Sequence, residues 1–318
     1  MNRNSNILII DGTAVFVRNW IQNPSMNDNG EPVGGIVGFL HTLYEMIDTF
    51  EPTRIIVAFD GKAPLDWRRS IYPDYKKDRF ADLKFNRQYT ILTNDDELKY
   101  LKNQFVTLYS ILTNLPVTIL SVERFESFDT IYHFIKNNLT DESKCTIISN
   151  NVDYLQLLKT NITLYSPYKK IKYDFNTGDE ISPIMMYYFN VIHGKKNYNI
   201  PGVKNVGIKK FTKLFDCTQT NLTIDDLFSV CELNQKSSTV YRNILLNREL
   251  IDKNILMMSA NHIYGDDVIE ILVNAYNGTD TKFNKIKLLE TLNHYKMMHS
   301  IKDFDFILDY TFSKLILK

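Results

Sequence analysis

Asn6-Ile7-Leu8-Ile9-Ile10-Asp11 and Arg54-Ile55-Ile56-Val57-Ala58-Phe59-Asp60 are two short hydrophobic runs that each end in an aspartate. Apolar, β-branched runs of this length read as strands buried on both faces, the mark of a parallel sheet covered by helices. Ligands of such sheets bind just beyond the strands' carboxyl ends, so Asp11 and Asp60 point to a cation site there. A third run, Cys145-Thr146-Ile147-Ile148-Ser149, leads into Asn150-Asn151-Val152-Asp153 and brings another acid to the same edge.

Working outward, Gly34 to Ile47 places apolar residues at 36, 39, 40, 43 and 47, a helical stripe able to cover the sheet. Pro73 within Tyr72-Pro73-Asp74-Tyr75 makes residues 67–79 a loop or a frayed helix end. Asn94 with Glu97 has capping-box spacing ahead of Leu98, Leu101, Phe105, Leu108 and Leu112. Residues 116–120 read as a third strand, 126–138 as a helix, and 163–165 with 171–173 as a hairpin. The alternation predicts an α/β, three-layer domain with a mostly parallel sheet over residues 1–190. Residues 191–318 read as helical, with a turn-rich insert at Ile200 to Gly207 followed by a basic helix start at Lys209. A helix, a glycine turn and a basic helix start form a hairpin suited to nucleic-acid phosphates.

The chain has 318 residues, 44% hydrophobic and 13% aromatic, enough for a large core. No apolar stretch approaches the roughly 18 residues of a membrane span, and Met1 to Ser5 leads into a strand, so a cytoplasmic location without membrane partners is expected. Cys145, Cys217 and Cys231 have no metal-ligand spacing and read as reduced thiols. None of the six histidines sits in a triad pattern.

Lys+Arg and Asp+Glu are equal at 37 each, but the charge is segregated. Trp67 to Arg79 holds Arg68, Arg69, Lys76, Lys77 and Arg79 against two acids, and Lys195 to Phe215 holds six lysines and no acid. Such clusters in a neutral chain suit a phosphate backbone.

Five ordered blocks resemble the 5′-nuclease superfamily: flap endonucleases, the 5′-3′ exonuclease domain of bacterial DNA polymerase I, and bacteriophage ribonuclease H. They are Ile10-Asp11-Gly12; Phe59-Asp60-Gly61 with Trp67-Arg68-Arg69 and Tyr72 to Arg79; Glu126-Ser127-Phe128-Asp129; Ile148 to Leu157; and Gly194 to Gly207. The resemblance implies a PIN-like fold, a helical arch-like segment at about 80–114, and a helix-two-turn-helix hairpin at about 194–216. It implies Mg²⁺ or Mn²⁺ held by Asp11, Asp60, Glu126, Asp129 and Asp153, with Lys76 and Arg79 over the scissile phosphate. Nucleic acid would meet Arg68, Arg69, Lys77, Gly202, Lys204, Gly207, Lys209 and Lys210, with K⁺ on the hairpin carbonyls. The partners implied are branched or 5′-ended DNA or RNA–DNA hybrids, and replication proteins.

The chain departs from the pattern at four positions where the family carries acids: Phe128, Asn151, Lys195 and Tyr198. One charge pair at 4 Å and an effective dielectric of about 20 is worth ~4 kcal/mol, and Lys195 reverses that sign. At most one metal site is therefore expected. Phe128, Ile131, Tyr132 and Ile135 form one apolar helix face, so Phe128 either joins the core or fills the emptied metal position. Lys195 is expected to act as a built-in counter-ion, and Asn205 to hold a left-handed turn where the family has glycine. The reading is a nucleic-acid binder with hydrolysis lost or strongly reduced. The alternatives are a Mg²⁺-dependent nuclease using the first-metal carboxylates, and a protein-interaction scaffold.

Overall fold

A computed structural model describes residues 5–77, 93–175, 181–260, 266–278, 283–301 and 307–312. Arg79, and the part of the arch-like segment before residue 93, lie outside the described residues.

Six strands form one sheet: β1 (Asn6–Asp11), β2 (Arg54–Asp60), β3 (Thr118–Val122), β4 (Lys144–Ile148), β5 (Ile162–Ser166) and β6 (Ile171–Tyr173), in the order β3-β2-β1-β4-β5-β6. All neighbours are parallel except β5 and β6. The third strand starts two residues later than the sequence suggested, beyond Pro116, whose missing N–H cannot join a ladder. Strand order reverses between β1 and β4, and a crevice opens at the carboxyl ends where that happens.

Successive strand residues alternate between two cores. Leu8, Ile10, Ile55, Val57 and Phe59 face helices α1 (Gly12–Gln22) and α2 (Gly34–Phe50). Ile7, Ile9, Ile56 and Ala58 face the other way, toward the helix that follows β3. Burying each of these Leu, Ile, Val and Phe side chains contributes about 1.5–3 kcal/mol, which fixes strand register and the three-layer arrangement. Helix α1 had no counterpart in the sequence reading. Its signal was Asp11, whose carboxylate caps it by accepting from Ala14 N at 3.1 Å.

Next come α3 (Asp66–Ile71) and α4 (Asn94–Leu112). Thr93 and Asp96 form the capping box of α4, one residue before the expected Asn94 and Glu97. From Leu101 onward α4 is a sheet-covering helix: Phe105 meets Phe16 at 5.6 Å and Phe59 at 5.0 Å, and Leu108, Ile111 and Leu112 are buried. Helix α5 (Ser127–Asn138) covers the opposite face.

Helix α6 (Pro183–His193) spans the expected boundary at 190 and builds a third core with α7 (Ile208–Leu214), α8 (Ile224–Asn234), α9 (Thr239–Leu246) and α10 (Arg248–Met258). Helices α11 (Asp266–Gly278) and α12 (Lys285–His294) return to the sheet domain, where Leu272 and Leu288 are buried. Hydrophobic faces on α11 and α12 thus find their cover on the α/β layers. No described helix is long and apolar enough to cross a membrane.

Candidate functional site

Asp11 ends β1 beside the strand-order reversal. Its oxygens accept from Ser127 Oγ at 2.8 Å, Ser149 Oγ at 2.9 Å and Tyr154 OH at 3.1 Å, besides the Ala14 N–H. Every one of these donors is neutral. Asp60, at the end of β2, accepts from Ser127 N at 2.8 Å. Burial pushes its carboxyl above the ordinary range, the neighbouring Glu126 charge adds to this, and the Ser127 N–H and Lys76 only partly offset it.

The other carboxylates hold cations from this chain. Glu126, just before α5, accepts from Arg68 Nη1 at 2.9 Å, from Tyr75 OH at 3.0 Å and from Lys76 Nζ. Burial opposes its charge, but Lys76 and Arg68 outweigh burial and hold the carboxyl down at about 2. Asp129 is 0% exposed. It takes Arg68 in a fork, Nη1 at 2.7 Å and Nη2 at 2.6 Å, and accepts Glu126 N at 3.0 Å, which caps α5. Asp153 accepts from Lys195 Nζ.

Arg68 corrects an expectation. Placed by sequence among nucleic-acid contacts, it is 1% exposed and completes its bonding on Met257 O at 2.9 Å. Burial works against its charge, and Asp129 with Glu126 restores it, raising its proton affinity above the ordinary value. Residues adjacent on a helix point about 100° apart. In Trp67-Arg68-Arg69 only one arginine can therefore face out, and Arg69 is the exposed one, donating its Nε to Tyr75 O at 3.1 Å.

Each of the four departing positions has a local task. Phe128 is buried against Tyr154 with ring centroids 5.1 Å apart, so it joins the core beside Asp11. The Asn151 side-chain oxygen accepts Asp153 N at 3.1 Å and caps the short turn Val152–Leu157. Tyr198 lies under two ammonium groups, Lys76 at 4.6 Å and Lys195 at 5.0 Å from its ring centroid. Its carbonyl accepts Lys76 N at 3.1 Å, joining the basic loop to the hairpin.

Asp11, Asp60, Glu126, Phe128, Asp153 and Tyr198 line a void of about 50 Å³. Beside it an open groove of about 1050 Å³ runs past Lys77, Lys195, Lys196 and Gly202. Three of the five expected ligands are ion-paired internally, and hydroxyls bond Asp11. Among the described residues, no three His, Cys, Asp or Glu side chains converge as a metal-binding group.

Between α6 and α7 the chain turns at residues 195–200 and again at 204–205. Gly194 adopts φ +74°, and Lys195 pairs with Ile200 through both backbone bonds. A Cβ on Gly202 would fall 1.7 Å from His193 O, so only glycine fits. Asn205 takes φ +66°, the left-handed turn anticipated for it. Lys204 and Lys209 are exposed, whereas Lys210 turns its ammonium back to Asn205 O at 3.3 Å; Gly207 stands in open space. The carbonyls of Lys204, Asn205 and Val206, where the resemblance implies K⁺, each already accept from Asn243, Lys210 or His193.

Sequence reasoning missed Ser127, Ser149, Tyr154, Tyr75 and the Met257 carbonyl. The first four lie inside quoted blocks and were legible as hydrogen-bond donors beside the acids. Met257, 189 residues from Arg68, leaves no local signal.

A doubly wound sheet with a carboxylate cluster at its reversal point, joined to a two-turn helical hairpin, defines a domain of the 5′-nuclease type. Residues 6–182 match the family model described as the 5′-3′ exonuclease, N-terminal resolvase-like domain, and the chain belongs to that family. It is similar to a 5′-3′ exonuclease of Bacillus subtilis, 26% identical over 225 residues, 66% of this chain and 70% of that protein. It is also similar to DNA polymerase I of the same organism, 24% identical over 79% of this chain but 28% of the polymerase. Among solved structures, the bacteriophage T5 protein co-crystallised with metal ions superposes with a TM-score of 0.57 at 19% identity, over 91% of this chain and 98% of that one. The T5 flap endonuclease as an aspartate-to-lysine pseudo-enzyme, complexed with product DNA and metal ions, gives 0.58 at 19% identity, over 91% and 97%.

Proposed function

We propose that this chain binds branched or 5′-ended DNA, or RNA–DNA, as a member of the 5′-nuclease family whose hydrolytic activity is lost or strongly reduced. One observation carries the reading: three of the five acids expected to hold metal are already neutralised by the chain's own cations, Asp153 by Lys195, and Glu126 and Asp129 by Arg68 and Lys76. A divalent ion entering the cluster would have to displace buried, hydrogen-bonded charges, each exchange costing several kcal/mol.

The gripping surface is retained alongside. Lys77, Lys196, Lys204, Lys209 and Lys213 are exposed on the groove and hairpin, and exposed lysines contribute phosphate affinity without a metal. The test is fluorescence anisotropy with a 5′-flap DNA in EDTA and in Mg²⁺ or Mn²⁺, with product analysis of the same samples. Equal affinity and no cleavage in all three is the expected result. Efficient metal-dependent cleavage would overturn the proposal. A second reading, residual hydrolysis through one metal, is favoured by Asp11 and Asp60, neither of which has an ion pair among the described residues and both of which are bridged by Ser127. In that case Asp11→Asn abolishes whatever cleavage is measured.

A further inference from the structure

The tip of the β5–β6 hairpin holds a second group of residues that the carboxylate site does not use. The guanidinium of Arg18 on α1 lies 3.7 Å from the centroid of the Tyr168 ring. Tyr168 is 60% exposed, so one ring face is covered by Arg18 while the ring remains largely open to solvent. Arg18 Nε is buried with no hydrogen-bond partner, and Arg18 has no carboxylate partner among the described residues. Its charge therefore acts on the ring and on whatever approaches it.

The platform sits on the same edge as the carboxylates. Ile10 pairs with Ile148 and Ile148 with Tyr165, so β5 ends level with β1 and β4. Ser166 Oγ donates to Asn150 Oδ1 at 2.7 Å, tying the hairpin to the residues after β4. Arg18 is seven residues along from Asp11, about 10 Å at 1.5 Å per residue. Next to the ring, Lys169, Lys170 and Lys172 are exposed. Lys169 N donates to the Ser166 hydroxyl, and Lys170 takes φ +53° at the turn, which shapes the tip.

We propose that Tyr168, backed by Arg18, is a stacking platform for an unpaired base of single-stranded nucleic acid, with Lys169 and Lys170 on its phosphates. This rests on the binding reading above and extends it to a second subsite. A ring with one face held by a guanidinium is pre-oriented, so a base stacking on its open face orders little further. Bases in a duplex are already stacked on one another, so the platform selects the single-stranded arm of a branched molecule.

The experiment compares a DNA carrying a single-stranded arm with a blunt duplex of the same core. Tyr168→Ala weakens binding of the armed DNA about 5- to 150-fold, the range of one base–aromatic stack, and leaves the blunt duplex unchanged. Tyr168→Trp retains arm binding. An arm built of abasic sites removes the difference between wild type and Tyr168→Ala, which a merely structural role for the ring would not do. A 2-aminopurine in the arm is quenched by wild type and not by Tyr168→Ala. If the wild type prefers the armed DNA and Tyr168→Ala binds it equally well, the platform is refuted and the binding reading stands. If wild type binds neither DNA, both fail.

Discussion

Arg68→Met removes the charge at the centre of the site while roughly keeping the volume, and it separates an internal role for this arginine from a nucleic-acid contact. The guanidinium makes three hydrogen bonds to carboxylates and one to Met257 O, and is 1% exposed. Taking one member out of a buried pair costs about 3–5 kcal/mol, because the partner's charge is stranded. Urea unfolding followed by circular dichroism should show a deficit of about 3–5 kcal/mol at pH 7. Adding Asp129→Asn should recover part of the pH 7 loss. A variant as stable as wild type at pH 7 but weakened in DNA binding would show that Arg68 faces the ligand and that the buried cluster is wrong.

Further outcomes follow from the same geometry. Glu126, held at about 2 against an ordinary 4.5, contributes about 3 kcal/mol above pH 5 that is lost as pH falls from about 4.5 toward 2. Glu126→Gln should flatten the stability profile over that window in acid titrations, and an unchanged profile would contradict the ion pairs of Glu126 with Arg68 and Lys76. Lys204→Ala with Lys209→Ala should lower the slope of log affinity against log salt by about 1.8, some 0.9 for each phosphate contact removed. An unaltered slope would move the duplex to another surface. Combining Phe128→Asp, Asn151→Asp, Lys195→Asp and Tyr198→Asp should raise Mn²⁺ affinity at least about 100-fold by calorimetry, since reversing even one charge pair is worth ~4 kcal/mol at 4 Å. A folded quadruple variant with no gain would place the cation-binding centre elsewhere.

The strands and their carboxylates were legible because a buried parallel strand needs an unbroken apolar run, and its end is marked by the first side chain that needs hydrogen-bond donors. Asp11, Asp60 and Asp153 could therefore be assigned to one edge from the sequence. The left-handed turn at Asn205 followed from the backbone tolerance of asparagine, and the ammonium of Lys195 meets Asp153 as its charge suggested. The sequence could not say which basic residues face inward. Arg68 and Lys76 stand in the same basic segment as Arg69 and Lys77, yet the first two are held by Glu126 and Asp129 while the latter two are exposed. That choice depends on α5 and the Met257 carbonyl arriving from 58 and 189 residues away, and pairing across such separations has no local signature. The sequence by itself determined that acids gather at the sheet's carboxyl edge. Only the tertiary structure decided that Glu126, Asp129 and Asp153 are neutralised from within while Asp11 and Asp60 meet neutral donors, because burying a carboxylate requires specific partners and the fold alone selects which can reach it.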